Sequence, residues 1–143
     1  MTSLTVHSST AMVAAVVGVA VLGGLLFVLG FNVSRMRGVT AKAGGSQQPT
    51  DPASPLLIAQ RAHGNASEYV PYLAVLFLVV GIGSPAGVAI PLIVGATLAR
   101  LMHAYGMLSS DSLAHQSLVG VVGAMGTYLF GLALAVAAAF TLA

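Results

Sequence analysis

The run AMVAAVVGVAVLGGLLFVLGF, residues 11–31, decides the class of fold because it is free of charge and long enough to cross a bilayer. The apolar part of a signal peptide is shorter and follows basic residues, and none precede this run. We therefore expect a retained membrane helix. Comparable apolar stretches follow, so the sequence predicts an all-α protein with four spans, over about residues 10–32, 55–80, 86–108 and 113–139.

The composition excludes an ordinary soluble domain. Charged residues make up 6% and hydrophobic residues 57% of the 143 residues, against roughly 25% and 45–50% in soluble domains. The formal net charge of +2 is too small to suggest nucleic acid as a partner. There is no cysteine, which excludes disulfides, zinc–thiolate sites and a cysteine nucleophile.

Short connections between the spans predict a single domain, an integral membrane up-down four-helix bundle. The polar stretch 34–54 reads as a loop, and Ser110 or Asp111 reads as the N-cap of the fourth helix. Basic residues concentrate in the first connection, so the positive-inside rule places loop 34–54 in the cytoplasm. These basic residues are Arg35, Arg37 and Lys42.

The most unusual segment is RAHGNASEYVPY, residues 61–72, which places polar side chains inside a predicted membrane helix. Arg61, Asn65 and Glu68 follow an i, i+4, i+7 spacing and share one helix face. Ionisable groups at membrane depth are costly unless they face a bundle interior or a wet cavity. This face is either structural, with Arg61 and Glu68 in a buried ion pair between helices or subunits and Asn65 bonding across helices, or part of a ligand site.

Further hydrogen-bond donors are expected at the same depth, near the ends of the first and third helices. They are Arg35, Arg37, Arg100, His103 and Tyr105. Converging arginines suit an anionic polar ligand because a guanidinium binds a carboxylate through two parallel hydrogen bonds. Arginines at a membrane interface also serve as snorkelling anchors, and a histidine often has a packing role. The four histidines are too scattered in sequence to predict a metal site.

The segment RAHGNASEYVP, residues 61–71, together with ARLMHAYG, residues 99–106, resembles the MAPEG family, the membrane-associated proteins of eicosanoid and glutathione metabolism. The shared patterns are R-x-x-x-N-x-x-E-x-x-P in the second helix and R-x-x-H in the third, with SRMR at the end of the first. The resemblance extends over essentially the whole chain. The small bacterial branch of the family looks most similar.

The resemblance implies a homotrimer in the bacterial inner membrane, embedded in lipid. It also implies that glutathione, or another low-molecular-weight thiol, binds between subunits on the cytoplasmic side. Carried over by position, the contacts are Arg61, Asn65 and Glu68, with Arg35, Arg100 and His103 from other helices. We add Tyr105 to this set because it belongs to the polar cluster at the end of the third helix.

Two departures from the family concern activation of the thiol. Catalytic members carry one arginine where this chain has Gly64 and another early in the fourth helix, where this chain reads SLAHQSLVG, residues 112–120. A thiol needs a nearby cation or hydrogen-bond donors to populate the thiolate. The activating group must then come from Arg35, Arg100, His103 or the segment 115–117. We predict Arg100 or Arg35 as the nearest charge to the thiol and Ser117 as its direct contact.

Three functions follow from this reading of the sequence. The first is a glutathione transferase or peroxidase that acts on lipophilic electrophiles by thiolate attack. The second is a non-catalytic binding or structural protein whose Arg/Asn/Glu cluster only stabilises the trimer. The third, a small transporter, fits less well. Pro71 is expected to bend the second span just past Glu68, but alternating access usually needs more repeats or broken helices than one bent span supplies.

Overall fold

The computed structural model describes residues 10–141, which form an all-helical bundle. The helices are α1 (Thr10–Lys42), α2 (Pro55–Gly83), α3 (Ala86–Leu108) and α4 (Leu118–Phe140). All four are long and apolar enough to cross a membrane. The predicted class, a multi-pass four-helix membrane protein, is therefore confirmed.

The first helix continues about ten residues further than the sequence suggested. We expected it to end near residue 32 and read 34–54 as a loop, but α1 ends at Lys42. Residues 33–42 contain no proline that would stop the helix. The 33 residues of α1 span about 50 Å, well beyond the roughly 30 Å hydrocarbon core. The basic end of α1 therefore extends past the membrane core.

The remaining part of that connection, residues 43–54, is held by local hydrogen bonds rather than disordered. Gly44 adopts a positive φ of 69° just after α1, which glycine allows without steric cost. Asp51 then organises the approach to α2, because its carboxylate accepts a hydrogen bond from Ala53 N at 2.9 Å and its carbonyl accepts one from Ser54 N at 2.9 Å. The Ser54 hydroxyl caps α2 through Leu57 N, with Pro55 in the first turn.

The fourth helix begins later than predicted and with a different cap. We expected a start near residue 113, capped by Ser110 or Asp111. Instead α4 starts at Leu118, and the Ser117 hydroxyl accepts the hydrogen bond from Gly120 N at 3.1 Å. The prediction failed because two serine-rich cap signals lie within one connection, and only Ser117 precedes an uninterrupted helix. Residues 109–117 form a loop, tied to the first connection by the 2.9 Å bond from Leu113 N to Pro52 O.

Small residues allow the helices to approach closely, as packing in lipid requires. Gly18 of α1 lies against Phe77 of α2 and Ile93 of α3, and a Cβ there would come within 2.9 Å of both side chains. Gly106 of α3 and Gly120 of α4 meet backbone to backbone. Because α2 and α3 lie at the centre of the bundle, the site is built on these two helices and the start of α4.

Candidate functional site

One cavity lies along the first half of α2, and we call it the α2 cavity. It has a volume of about 560 Å³, and Met107 and Leu113 close its far side. Arg61, Asn65 and Glu68 all line it, so the three residues predicted to share a helix face do lie together. Gln60 adds an amide to the same wall. The cavity therefore combines a cation, a carboxylate and two amides.

Arg61 and Glu68 do not form an ion pair within the protomer, and an ion pair between subunits stays a prediction. Neither side chain has a hydrogen-bond or ion-pair partner among residues 10–141, and both are exposed. The reason is geometric, because seven residues along one helix separate their Cα atoms by about 10 Å. Glu68 lies about 20 Å from the start of α2 and about 22 Å from its end, close to the middle of the span. A carboxylate at that depth requires a ligand, water or another subunit.

A second cavity, the α3–α4 cavity, lies where the end of α3 meets the start of α4. Its volume is about 380 Å³. It is lined by His103 and Tyr128, by the loop side chains His115 and Gln116, and by several apolar residues. Asn65, Met107 and Leu113 line both cavities. The two cavities are therefore neighbours, and Asn65 offers its amide to each.

Arg100 is the single fully buried charged residue in the part of the chain described here, at 1% exposure. Its Nη2 donates to Asn65 Oδ1 at 2.8 Å, and its Cζ lies 5.0 Å from the centre of the Tyr69 ring. Its Nε has no partner. Arg100 therefore has a cation–π contact and one hydrogen bond to a side-chain amide, whereas a buried cation ordinarily has a carboxylate as its partner. Arg100 lines neither cavity. Its hydrogen bond to Asn65 is what links it to the residues that do.

His103 connects α3 to α4 from the wall of the α3–α4 cavity. Its Nδ1 lies 2.8 Å from the Gly120 carbonyl oxygen and therefore donates a hydrogen bond to it. The close glycine contacts between α3 and α4 make this possible, because a Cβ at Gly123 would clash with the His103 backbone. His115 lines the same cavity. Within residues 10–141 no three histidine, aspartate or glutamate side chains cluster to hold a metal ion.

Ser117 was predicted as the thiol contact, and its hydroxyl makes two hydrogen bonds within the protomer. The hydroxyl donates to Gly106 O at 3.0 Å and accepts from Gly120 N at 3.1 Å. It thereby caps α4 and joins the end of α3 to the start of α4. Ser117 still lines the α3–α4 cavity, so its contact with a thiol stays a prediction.

Two predicted site residues lie away from both cavities in the protomer. Arg35 is exposed, and its Nη2 donates to Asn32 Oδ1 on its own helix at 2.9 Å. Tyr105 is 66% exposed on α3. Two residues beyond His103, it points to another side of the helix. Contact of either residue with a ligand would require a second subunit.

The structure places two tyrosines without a predicted site role around Arg100 and the α3–α4 cavity. Tyr69 stacks against the Arg100 guanidinium, and its ring lies 6.0 Å from that of Tyr128, at an interplanar angle of 51°. The i, i+4 spacing of Asn65 and Tyr69 could have indicated Tyr69. Tyr128 gave no local signal, because it joins the site only through the packing of α4 on α2 and α3. Gln116, from the segment 112–120 where catalytic members have an arginine, also lines the α3–α4 cavity.

These features define a multi-pass α-helical membrane protein with two neighbouring cavities that carry polar side chains, beside a buried guanidinium. The chain belongs to the MAPEG family, whose sequence profile matches residues 13–140. This confirms the resemblance found in the second and third helices. A search of curated proteins found no match to this chain.

Proposed function

We propose that the protein binds glutathione, or a similar small thiol, across the two neighbouring cavities and transfers its thiolate to lipophilic electrophiles. The observation that carries this proposal is the wall of the α2 cavity, where Arg61, Asn65 and Glu68 lie together. Its charges complement those of glutathione, which has two carboxylates, one ammonium group and one thiol. Family membership supports the same chemistry.

The charged ends of the ligand fit the α2 cavity. The Arg61 guanidinium can bind a carboxylate through two hydrogen bonds, and the Glu68 carboxylate can accept from the ammonium group. Both side chains lack partners among the described residues and are free to engage a ligand. Asn65 stands between the cavities, so a ligand held at Arg61 and Glu68 would extend its thiol past Asn65 towards His103.

The electrophile would reach the thiol from the bilayer. Apolar side chains line the α3–α4 cavity beside His103, and Met125 among them is 61% exposed on α4. A lipophilic molecule can diffuse within the membrane and enter laterally between such side chains. In a transfer reaction the thiolate sulfur forms the new bond to the electrophilic carbon, and the leaving group departs with the bonding electron pair. In a peroxidase reaction the thiolate sulfur attacks one peroxide oxygen instead, the O–O bond breaks, and the other oxygen leaves as an alkoxide that takes up a proton. The sulfenic acid formed on the sulfur then reacts with a second thiol to give a disulfide and water.

We include a homotrimer in the proposal because the protomer leaves Glu68 and Arg61 exposed on a membrane helix. A neighbouring subunit would cover these charges and could bring Arg35 or Tyr105 to the ligand. Native mass spectrometry in mild detergent should show a trimer, and a purely monomeric protein would contradict this part. The location proposed is a bacterial inner membrane, with the cavity end of the bundle in the cytoplasm, on the side of Arg37 and Lys42.

A second candidate is a non-catalytic thiol-binding or structural protein. It is favoured by one observation, the lack of an arginine in residues 112–120. The loop instead presents Gln116 and His115 to the α3–α4 cavity, and neither carries a permanent charge. Binding without turnover would distinguish this candidate from the enzyme.

The experiment is calorimetric titration of glutathione into the purified protein in detergent or nanodiscs. Arg61→Gln and Glu68→Gln should each weaken binding by about tenfold or more, because each loses a charge-assisted hydrogen bond. Arg37→Gln is the matched control, since it removes an exposed arginine that lines neither cavity. A conjugation assay with an aryl halide then separates enzyme from binder. Failure of glutathione and other cellular thiols to bind would refute both candidates.

A further inference from the structure

The hydrogen bond between His103 and Gly120 fixes which imidazole nitrogen carries the proton. The Gly120 carbonyl can only accept, so Nδ1, 2.8 Å away, must be the N–H nitrogen. In the neutral ring the proton on Nδ1 leaves Nε2 with a free lone pair. Nε2 has no hydrogen-bond partner among residues 10–141, and the ring is half-buried on the cavity wall. The protomer therefore carries an unengaged proton acceptor on a residue that lines the α3–α4 cavity.

We infer that His103 is a catalytic base, which takes the proton of the bound thiol on Nε2 and so generates the thiolate. This inference rests on the proposed function, because it concerns the thiol held in the same neighbouring cavities. It assigns thiol activation to a neutral imidazole instead of a fixed cation. It also explains how a chain without an arginine in residues 112–120 could still activate a thiol.

The proton balance of the step is simple. The S–H bond breaks, its proton moves to Nε2, and the product is a thiolate beside an imidazolium. The Gly120 carbonyl oxygen, already bonded to Nδ1–H, stabilises the positive ring. After the thiolate attacks the electrophile, the imidazolium can return the proton to the leaving group. A positioned acid–base group of this kind typically contributes about 10²–10⁴-fold to a rate.

Among the described residues no carboxylate lines the α3–α4 cavity, and Asp111, between the lining residues Ser110 and Ser112, is exposed. The titratable groups that share the cavity with His103 are His115 in the 109–117 loop and Tyr128 on α4. Arg100 lies one turn earlier on α3, and Glu68 lines the α2 cavity rather than this one. The start of α4 lines the same cavity and adds the partial positive charge of a helix N-terminus, which favours a thiolate.

His103 is better placed for this role than His115. The His103 ring is held by its bond to Gly120 between two closely packed helices. His115 is exposed in a loop, and its side chain has no hydrogen-bond partner in the part of the chain described. A base that must meet a thiol at a fixed distance gains from a ring whose orientation is already set.

The test variant is His103→Asn, because an asparagine amide can keep the N–H bond to the Gly120 carbonyl but cannot accept a proton. The matched control is His63→Asn, a histidine that packs against α1 near Gly30 and lines neither cavity. Two ligands are titrated into each protein, namely glutathione and S-methylglutathione, which has no thiol proton. The readouts are binding heat, ultraviolet absorbance of the thiolate, conjugation rate, and proton release into a weakly buffered solution at about pH 8, where free imidazole is neutral.

In the wild-type protein we expect a thiolate signal without release of a proton to the buffer, because His103 keeps it. His103→Asn should bind S-methylglutathione within about threefold of wild type while its conjugation rate falls roughly 10²-fold or more. Release of one proton per thiolate in the wild type, or a normal thiolate signal and rate in His103→Asn, would overturn the inference but leave the binding site intact. If neither ligand binds the wild type, the proposed function falls and the inference falls with it.

Discussion

Arg100 Nη2 donates a 2.8 Å hydrogen bond to Asn65 Oδ1, which joins the buried guanidinium to the residue that separates the two cavities. Because Oδ1 is occupied, the Asn65 amide is oriented with its N–H₂ group available as a donor. Within the protomer Arg100 contacts Asn65 rather than either cavity, and its contact with a ligand stays a prediction. Tyr69 completes the arrangement by covering the guanidinium face.

The first prediction is that Arg100 and Asn65 are energetically coupled. Asn65→Leu removes the hydrogen-bond partner of a buried cation and should cost about 2–3 kcal/mol of unfolding free energy. Arg100→Met should cost less, because it also removes the charge. The loss of unfolding free energy in the double variant should be smaller than the sum of the two single losses by about 1–3 kcal/mol. Denaturant unfolding in micelles measures all three losses.

Ser67→Ala provides the control for this cycle. Ser67 is exposed on the same helix and bonds only to Gly64 O. Combined with Arg100→Met, it should give additive changes within about 0.5 kcal/mol. Additivity of the Arg100 and Asn65 variants as well would mean that their hydrogen bond contributes nothing.

The second prediction separates a structural from a chemical role for Ser117. Ser117→Ala removes the N-cap of α4 and the bond to Gly106 O, so unfolding free energy should fall by about 1–2 kcal/mol. Ser117→Asp should restore most of it, because a carboxylate also caps a helix. The control is Ser34→Ala, at an exposed serine on α1, which should change the unfolding free energy by less than about 0.5 kcal/mol. If Ser117→Ala abolishes the thiolate signal at unchanged stability, Ser117 contacts the thiol as the sequence suggested.

The third prediction concerns the close approach of α3 and α4. A Cβ at Gly106 would collide with the backbone of Gly120, which cannot move without separating the helices. We expect Gly106→Ala to lower the melting temperature strongly and to weaken thiol binding, because His103 would lose its fixed distance to Gly120. At Gly87 a Cβ meets nothing within 4 Å, so Gly87→Ala should be neutral or gain up to about 1 kcal/mol. Equal melting temperatures for the two variants would contradict this packing.

The fourth prediction is the orientation in the membrane. The chain has no cysteine, so a single introduced cysteine gives an unambiguous label. Thr50→Cys, in the connection after α1, should react with an impermeant maleimide only after the cytoplasmic side is opened. Gly87→Cys, at the opposite end of the bundle, should react in intact cells. The reverse pattern would place both cavities on the outer side.

The sequence by itself determined the class of fold and part of the site. Four long apolar runs must become helices in a bilayer, because only intrahelical hydrogen bonds satisfy the backbone there. The 3.6-residue period then placed Arg61, Asn65 and Glu68 on one face, and the structure shows them on one cavity wall. Helix ends were predicted less well, since α1 runs on to Lys42 and α4 starts only at Leu118. Several residues near those ends could each serve as a stop or a cap.

Only the tertiary structure decided what the polar residues do. Arg100 lies 35 residues from Asn65 in the chain, so its hydrogen bond arises from the packing of α3 on α2. The tautomer of His103 and the capping role of Ser117 depend on the close contact between α3 and α4. A local pattern fixes which side of a helix a residue occupies. Its hydrogen-bond partner depends on the distance between helices, which the packing of the whole bundle sets.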